Sequence, residues 1–440
     1  MNSQNQNTEK PVKVNIKSGL DLLFSTEPDG VIAGAKSSDS SAVLGRDFPG
    51  TRFEVLVDEG DSVKAGESVL RDRRQPDILF TSPVSGTIAA LRRGARRALV
   101  SLKIAQDGAD NTLQLDIPAE SDRDSVRRLM LQSGLWTALR SRPFGHVPHP
   151  DAQPKALLVT AIDTHPLAPD PAVVISKFSN EFTLGINALN ILVNAPVFLC
   201  KSAAAKIDFN GSQSAIVTEF DGPHPAGLPG THIHALCPIT FDGKAVWHVG
   251  YQDVISLGHL IQTGKPWFDR VISLAGPAVK NPRLLTVPLG AAIDDVVAGE
   301  LIEEPVRIIS GSPLCGHKAA GDEAYLGQRH NQVTAIFEAN SKNQNGSGKS
   351  LFDTSLGGEA GPLVPVSGLD QVAPPGVLAV PLLRALLVGD IERARDLGAL
   401  ELVEEDLALL SYVCASKADY GSLLRDVLDQ MYKEGVSTQH

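Results

Sequence analysis

Alternating apolar and polar positions dominate the first hundred residues. The segments Val57–Leu70 and Thr81–Ile88 alternate around Gly-Asp and Ala-Gly turns, and Ala98–Ile104 alternates again near the end of this region. A period of two places successive side chains on opposite faces of a strand, and glycine turns end each run. The pattern predicts a β-rich module over residues 11–106, preceded by a disordered N-terminus at residues 1–10.

Longer apolar runs begin after a helix and a linker, which are expected over residues 107–154. The helix should begin at Ser121 as its N-cap, and the proline-rich segment 140–154 should be the linker. Three apolar strands are predicted next: Ala156–Asp163, Val193–Leu199 and Ala215–Thr218. Segments of helical length separate them, which is typical of βαβ units. Residues 155–265 are therefore expected to form a Rossmann-like α/β domain with a parallel sheet.

Two further units follow. Residues 266–340 place apolar runs around one short helical pattern, Ala291–Ala298, which predicts a small α+β unit of β-grasp type. These runs are Arg270–Val279, Val306–Leu314 and Val333–Phe337. Residues 341–361, rich in Gly, Ser, Asn and Lys, predict a flexible linker, and residues 362–440 predict a helical domain. Its helices are expected at Pro381–Val388, Ile391–Leu397, Glu404–Ala415 and Tyr420–Glu434, with Asp390 capping the second.

Composition is that of a globular protein with several domains. At 440 residues the chain exceeds the ~250 residues of a typical single core. The net charge of −11 argues against nucleic-acid binding, which needs a basic surface. Four cysteines form no CxxC pair, so reduced thiols in a cytosolic protein are expected. They are Cys200, Cys237, Cys315 and Cys414.

No signal peptide or membrane-spanning segment is predicted. The N-terminus is polar, and the most apolar stretch, Thr183–Cys200, is interrupted by three asparagines and a proline. Four arginines should lie at one hairpin tip: Arg92, Arg93, Arg96 and Arg97. They form either a solvated turn or a patch that meets an acidic partner or lipid headgroups. If the protein works at a membrane, a partner must hold it there.

Three places are candidates for ligand chemistry. The turn Asp163–Pro171 follows the first α/β strand but contains no glycine, so ordinary dinucleotide or flavin binding is not expected there. A second place holds possible zinc ligands: His224, His232, His234 and Cys237. No recognisable zinc spacing is completed, so a polar pocket wall is the preferred interpretation. On a strand, His232 and His234 would share one face. Cys315 and His317, two residues apart, indicate a turn rather than a catalytic pair.

Residues 57–88 resemble the barrel-sandwich hybrid of lipoyl and biotinyl carriers. In those carriers, a lysine on the hairpin between two similar halves holds the prosthetic group. The corresponding hairpin here, Arg71–Phe80, contains no lysine. The resemblance therefore implies the carrier fold without a covalently bound cofactor, a form suited to docking or scaffolding.

Seven segments, in order, resemble the A subunit of bacterial sodium-translocating NADH:quinone oxidoreductases. They are Ile16–Leu22, Gly60–Leu70 with Ser82–Ile88, Ile162–Pro171, His224–His234, Gly276–Arg283, Gly311–Gly316 and Tyr325–Val333. Each is weak alone, and the ordered set is highly specific. Through this family the chain is similar to the flavoprotein subunit of respiratory complex I and to the C subunit of Rnf-type ion pumps.

Those relatives combine a flavin-type α/β domain, a soluble-ligand-binding β-grasp domain and a helical domain that holds iron–sulfur clusters. This chain lacks the glycine-rich FMN loop, and its C-terminal region keeps one cysteine, Cys414. A 4Fe–4S cluster needs four thiolates. The resemblance therefore implies a scaffold without bound metal or redox centres, with FMN, FAD and iron–sulfur clusters on partner subunits.

The resemblance further implies a translocase subunit, inactive alone, on the cytoplasmic face of the bacterial inner membrane. Membrane and peripheral subunits of the same respiratory complex would be its partners. Electrons would pass from NADH to ubiquinone, coupled to sodium export, and this subunit would contribute to the quinone-reducing end. Ubiquinone is the expected ligand, with His232 and His234 as candidate contacts. Two alternatives stay open: a stand-alone flavin-binding oxidoreductase and a purely structural assembly module.

Overall fold

The computed structural model describes residues 12–24, 27–109, 111–118, 121–207, 215–239, 244–338 and 361–435. The N-terminus predicted to be disordered and residues 341–360 of the predicted linker lie outside them. The strands are β1 Val12–Asn15, β2 Asp29–Ala35, β3 Ser40–Leu44, β4 Phe53–Val55, β5 Ser62–Val63, β6 Ser68–Asp72, β7 Leu79–Thr81, β8 Gly86–Arg93, β9 Leu99–Gln106, β10 Arg140–Arg142, β11 Leu157–Ala161, β12 Val197–Ser202, β13 Ala215–Asp221, β14 Val246–Gly250, β15 Asp269–Ala275, β16 Arg283–Pro288, β17 Val306–Ser310, β18 His317–Lys318 and β19 Gln332–Phe337. The helices are α1 Arg123–Gln132, α2 Pro171–Lys177, α3 Ser179–Leu192, α4 Pro229–Leu236, α5 Tyr251–Thr263, α6 Ile293–Val297, α7 Ser367–Val372, α8 Ala379–Val388, α9 Ile391–Asp396, α10 Ala408–Val413 and α11 Tyr420–Lys433.

Two small antiparallel sheets form the N-terminal module, with strand orders β3-β9-β8-β5 and β4-β6-β7. Leu70 and Phe80 from one sheet and Leu102 and Ile104 from the other are buried in a shared apolar core. The predicted hairpin over residues 71–80 is the turn between β6 and β7, and the four-arginine tip lies between β8 and β9. The alternating pattern predicted these short strands because burial on one face sets their period.

The first two strands do not belong to this module. β1 pairs in parallel with β13, and β2 pairs in parallel with β16, so each is an edge strand of a different sheet. Within residues 11–106, β1 and β2 therefore pair outside the two small sheets, which the alternating pattern did not predict. Alternation reveals that a segment is a strand, but it carries no information about which sheet the strand joins.

A six-stranded sheet of order β1-β13-β12-β11-β14-β10 forms the α/β region. Its strands are parallel except β10, which runs antiparallel to β14, so the predicted βαβ arrangement is confirmed. The linker predicted over residues 140–154 is wrong at its start, which forms β10, while residues 143–154 contain no helix or strand. Arg140 and Arg142 of that strand are buried, and a strand built on arginine gives no apolar signal. Helix α1 is capped by Asp122, which accepts a hydrogen bond from the Ser125 amide, rather than by Ser121.

A third sheet has the order β18-β17-β19-β15-β16-β2, with β15 and β19 parallel at its centre. Helix α6 packs on this sheet through Ile293 and Val296. The C-terminal helices α7 to α11 enclose a separate core. Asp390 caps α9 as predicted, since its carboxylate accepts a hydrogen bond from the Arg393 amide at 3.0 Å. No helix within the described ranges is both long and apolar enough to cross a lipid bilayer.

Candidate functional site

The α/β sheet changes direction between β11 and β14. From β11 the chain runs to β12 and β13 on one side, then returns through α4 to β14 on the other. A crevice opens beyond the carboxyl ends of the strands at such a point, and ligands bind there in many proteins of this type. Ile162, Asp163 and Gly250 lie at these ends and line a cavity of about 130 Å³.

The third sheet and the C-terminal helices border this crevice. A second cavity of about 270 Å³ shares Asp163, Arg329 and Asn331 with the first. It extends to Cys315, which follows β17, and to Arg425 on α11. The central crevice, meaning these two cavities together, is thus built by three separate regions of the chain.

A hydrogen-bond network fixes the polar groups on one wall of the central crevice. The side chain of Gln252, at the start of α5, donates to the carbonyl of Val271 at 2.8 Å and to Oδ1 of Asn331 at 3.1 Å. Its own Oε1 accepts from the Val271 amide at 2.9 Å. Next to it, Arg270 and Asp253 form a buried ion pair. These contacts hold Asn331 in a set position before any ligand arrives.

Two nearly inaccessible arginines form another wall. Arg140 donates to the carbonyls of Thr137 and Asp47 at 2.7 and 2.8 Å, and its Nε has no hydrogen-bond partner among the described residues. Arg142 donates to Nε2 of His248 at 2.6 Å. Burial, and then the charge of Arg142, lowers the pKa of His248. His248 is therefore a neutral acceptor.

Asp163, His165 and Cys315 form a linear cluster at the junction of the two cavities. Nδ1 of His165 lies 2.8 Å from Oδ1 of Asp163, and its Nε2 lies 3.4 Å from Sγ of Cys315. Burial by itself lowers the pKa of His165, but negative charge on Cys315 and Asp163 outweighs it and raises that pKa well above its usual range. His165 is therefore held between a carboxylate and a thiol.

The candidate quinone residues His232 and His234 lie on helix α4, not on a strand. Successive positions rotate by about 100° on a helix, so residues two apart point about 200° away from each other. The strand on which the two histidines would share a face is therefore not formed. Pro229 at the first turn of α4 is the sequence signal that could have indicated a helix.

The two histidines also differ in access to solvent. His232 is fully buried, its Nε2 donates to the Ala226 carbonyl at 3.0 Å, and burial lowers its pKa to about 4. The His234 side chain is 38% exposed, and its Nδ1 lies 2.8 Å from Oε2 of Glu401. His234 lines a separate cleft of about 310 Å³ together with Leu378 and Leu400.

The other candidate residues are placed as follows. His224 contacts Thr164 Oγ1 at 3.0 Å, and within the described part of the chain no three His, Cys, Asp or Glu side chains converge as metal ligands. His317 does not contact Cys315 but lies 3.1 Å from the Glu323 carbonyl through Nε2. The partner of Cys315 is His165, which is distant in sequence.

Sequence reasoning missed most of the central crevice. Asp163 and His165 had a usable signal, because they directly follow a buried strand of a parallel sheet, where ligand sites form. The absence of glycine from the turn Asp163–Pro171 argues only against phosphate binding and not against other ligands. Arg140 and Asn331 had no such signal, since only the folded chain brings their segments to the crevice.

Three family models match consecutive parts of the chain. They are described as NqrA N-terminal barrel-sandwich hybrid domain, over residues 14–107, NqrA second alpha/beta domain, over residues 121–266, and NQRA C-terminal domain, over residues 271–321. The first confirms the predicted barrel-sandwich fold. The crystal structure of NAD+-reducing NiFe-hydrogenase in the air-oxidized state gives a TM-score of 0.39 at 12% identity, covering 72% of this chain and 62% of that one, which is too low to support an argument.

Full-length relatives give the stronger comparison. The A subunit of the Na(+)-translocating NADH-quinone reductase of Pseudomonas aeruginosa is 42% identical over 447 aligned residues, which cover 96% of this chain and 100% of the relative. The protein of the same description from Neisseria meningitidis is 42% identical, and that from Mannheimia succiniciproducens 43%, at the same coverage. At this identity and coverage the fold and the family are shared. The chain belongs to the family formed by the A subunit of Na(+)-translocating NADH-quinone reductases.

Proposed function

We propose that this chain is a peripheral, cytoplasmic-side subunit of a membrane complex that transfers electrons from NADH to ubiquinone and exports sodium. The observation that carries the proposal is the match to relatives of that description over 96% of this chain and 100% of theirs. The chain would have no turnover alone. It would contribute to the quinone-reducing end and to assembly, with flavin and iron–sulfur cofactors supplied by partner subunits.

We also infer the finer fold assignments. Residues 155–265, extended by β10, correspond to a flavin-type α/β domain without the glycine loop. Residues 266–340, completed by β2, correspond to a β-grasp domain, supported by the central parallel pair β15–β19 and the single helix α6. Residues 362–440 correspond to a helical domain, in which Cys414 is the one cysteine of the sequence.

The central crevice fits the chemistry of a quinone ring. Such a ring needs an apolar slot and a few polar groups that fix its two carbonyl oxygens. Ile162, Leu228 and Val249 supply apolar surface, while Arg140 and Asn331 supply donors. We propose that the ring lies between these two sets.

His232 and His234 are proposed to influence quinone in different ways. His232 holds the Ala226 carbonyl, so it stabilises the turn that leads to Leu228 in the crevice wall. His234 would act from its separate cleft, where Glu401 fixes the imidazole ring of His234. Because His232 has no exposed surface, only His234 can touch a ligand directly, and it would do so in the separate cleft rather than in the central crevice.

The test uses a host in which this chain is deleted and then restored in variant form. The double variant His232→Ala/His234→Ala should weaken sodium-dependent quinone reduction in membranes while leaving NADH oxidation by the dehydrogenase subunit intact. His149→Ala, on an exposed loop, is the matched control. Unchanged quinone kinetics and inhibitor binding in the double variant would remove both histidines from the site.

Further outcomes separate the competing functions. If deletion leaves sodium-dependent quinone reduction unchanged, the assignment to this complex fails. A yellow purified chain with flavin absorbance would favour a stand-alone flavoenzyme. Quinone analogues that fail to crosslink to this chain within the intact complex would favour an assembly module. Intact-mass measurement of protein from its native host should show no lipoyl or biotinyl group on the hairpin Arg71–Phe80.

A further inference from the structure

Cys315 occupies an unusual place among the four thiols of the chain. It lies in the loop after β17, on the wall between the 270 Å³ cavity of the central crevice and a neighbouring cavity of about 560 Å³. Arg46 and Arg425 line both cavities. A small solute can therefore reach Sγ from either side.

The cluster with His165 and Asp163 gives this sulfur a proton acceptor. Nε2 of His165 faces Sγ at 3.4 Å, while Asp163 binds the opposite ring nitrogen and also accepts the His165 backbone amide at 3.0 Å. The second bond fixes the orientation of the ring towards Cys315. A thiolate next to an imidazolium is the nucleophilic form of cysteine.

The remaining cysteines lack one or both of these properties. Cys200 is fully buried, and burial raises its pKa. Cys237 is partly exposed, but burial again raises its pKa and no histidine contact is found for it within the described residues. Burial by itself raises the pKa of Cys414, but hydrogen bonds from Ser416 and Tyr420 outweigh burial and lower that pKa. Cys414 is only 1% exposed, so solutes cannot reach its sulfur. Access from two cavities and a histidine partner coincide at Cys315.

We propose that Cys315 is a site of reversible oxidation by small hydroperoxides, with His165 as its proton donor and Asp163 as a positioning residue. The thiolate attacks the terminal oxygen of the hydroperoxide, so an S–O bond forms as the O–O bond breaks. Sulfur loses two electrons and becomes a sulfenic acid. The departing alkoxide or hydroxide receives the proton from Nε2 of His165 and leaves as an alcohol or water.

Oxidation would change the charge of the cluster. The sulfenic acid is neutral, and His165 becomes neutral after giving up its proton, so a thiolate–imidazolium pair is replaced by two uncharged groups. The added oxygen also lies at the junction of the two cavities that Cys315 lines. This oxidation needs only residues of this chain and a hydroperoxide, and it is independent of the proposed quinone role.

The test treats the reduced, purified full chain with hydrogen peroxide in the presence of dimedone, which traps sulfenic acids. Peptide mass spectrometry then follows all four cysteines. Cys315 should be labelled at least about tenfold faster than Cys237, and His165→Gln should remove most of that difference. His317→Gln is the matched control, because it is near Cys315 in sequence but contacts Glu323 instead.

A second measurement separates chemistry from folding. The ultraviolet difference spectrum between the parent and Cys315→Ser should show thiolate absorbance at neutral pH, and this signal should be lost in His165→Gln and reduced in Asp163→Asn. Denaturation midpoints confirm that each variant is folded. Equal labelling of Cys315 and Cys237, or parental labelling in folded His165→Gln, overturns the proposal.

Discussion

The carrier-like hairpin and the central crevice each contain an arginine–carboxylate pair, the first exposed to water and the second buried. In the hairpin region, Arg71 donates two hydrogen bonds to Glu54, at 3.0 and 2.9 Å, and both side chains are more than a third exposed. In the crevice, Arg270 pairs with Asp253 where both side chains are at most 9% exposed. Water screens the first pair and is excluded from the second. Breaking the buried pair should therefore lower the free energy of unfolding several-fold more than breaking the exposed pair.

The largest effect is expected from breaking the buried pair at one partner. Arg270→Met leaves the Asp253 carboxylate buried without its counter-charge, which should lower the free energy of unfolding by about 3–5 kcal/mol. Chemical denaturation measures this loss. The double variant Arg270→Met/Asp253→Leu should recover much of it, because neither charge is then buried. A loss below ~1 kcal/mol in the single variant would show that water reaches the pair.

Protonation of His146 should lower the free energy of unfolding at mildly acidic pH. Burial, and then the charge of Arg425, lowers the pKa of His146 to about 4 from 6.5. The unfolded chain binds this proton more readily. The stability that the neutral ring contributes is therefore complete above about pH 6.5 and is lost as the pH falls towards 4. The 2.5-unit difference between 6.5 and 4 corresponds to roughly 3 kcal/mol.

His146→Phe should flatten this part of the stability–pH curve, because phenylalanine can keep the ring contacts with Phe144 and Tyr432. His149→Phe is the control, since the His149 side chain is 54% exposed. Unfolding midpoints measured between pH 7 and about 4 test the difference. An unchanged slope in His146→Phe would show that this ring does not stay neutral in the folded protein.

A helix cap should give an intermediate effect. Asp390→Ala removes the acceptor of the Arg393 amide at the start of α9, and such a loss costs about 1 kcal/mol. Asp390→Asn should retain most of the stability, because its side-chain oxygen still accepts the bond. Equal losses in the two variants would attribute the effect to charge rather than to the hydrogen bond.

The smallest effect is expected at the hairpin. Arg71→Ala should leave the unfolding midpoint unchanged within error, because its pair with Glu54 is exposed to water. Thermal denaturation at low and high salt tests this. A salt-dependent loss in stability comparable to that of Arg270→Met would remove the distinction between the two regions.

The sequence predicted the hairpin better than the crevice for a physical reason. Hairpin strands have a period and turns that lie within a short segment, so local alternation reports them. The β11 to β13 strands and the Asp390 cap were likewise local features. Pairing of β1 and β2 with distant strands, and the buried arginine strand β10, left no local trace.

The site was less predictable than the fold. Asp163 and His165 could have been found, because a polar pair after a buried parallel strand lies at the edge where ligands bind. The thiol that contacts His165 could not have been identified from the sequence. Cys315 has a histidine two residues away, yet the fold brings His165 to it. Proximity along the chain was a poor guide because β17 and β11 end at the same crevice.

The positions of β1 and β2 have a consequence during synthesis on the ribosome. Both strands are made well before their partners, β13 and β16. Until then, each offers unpaired backbone groups that could join a strand of another nascent chain. Productive folding should therefore depend on chaperones that cover this early segment, and fusing a bulky tag next to Val12 should reduce soluble yield more than the same tag at the C-terminus.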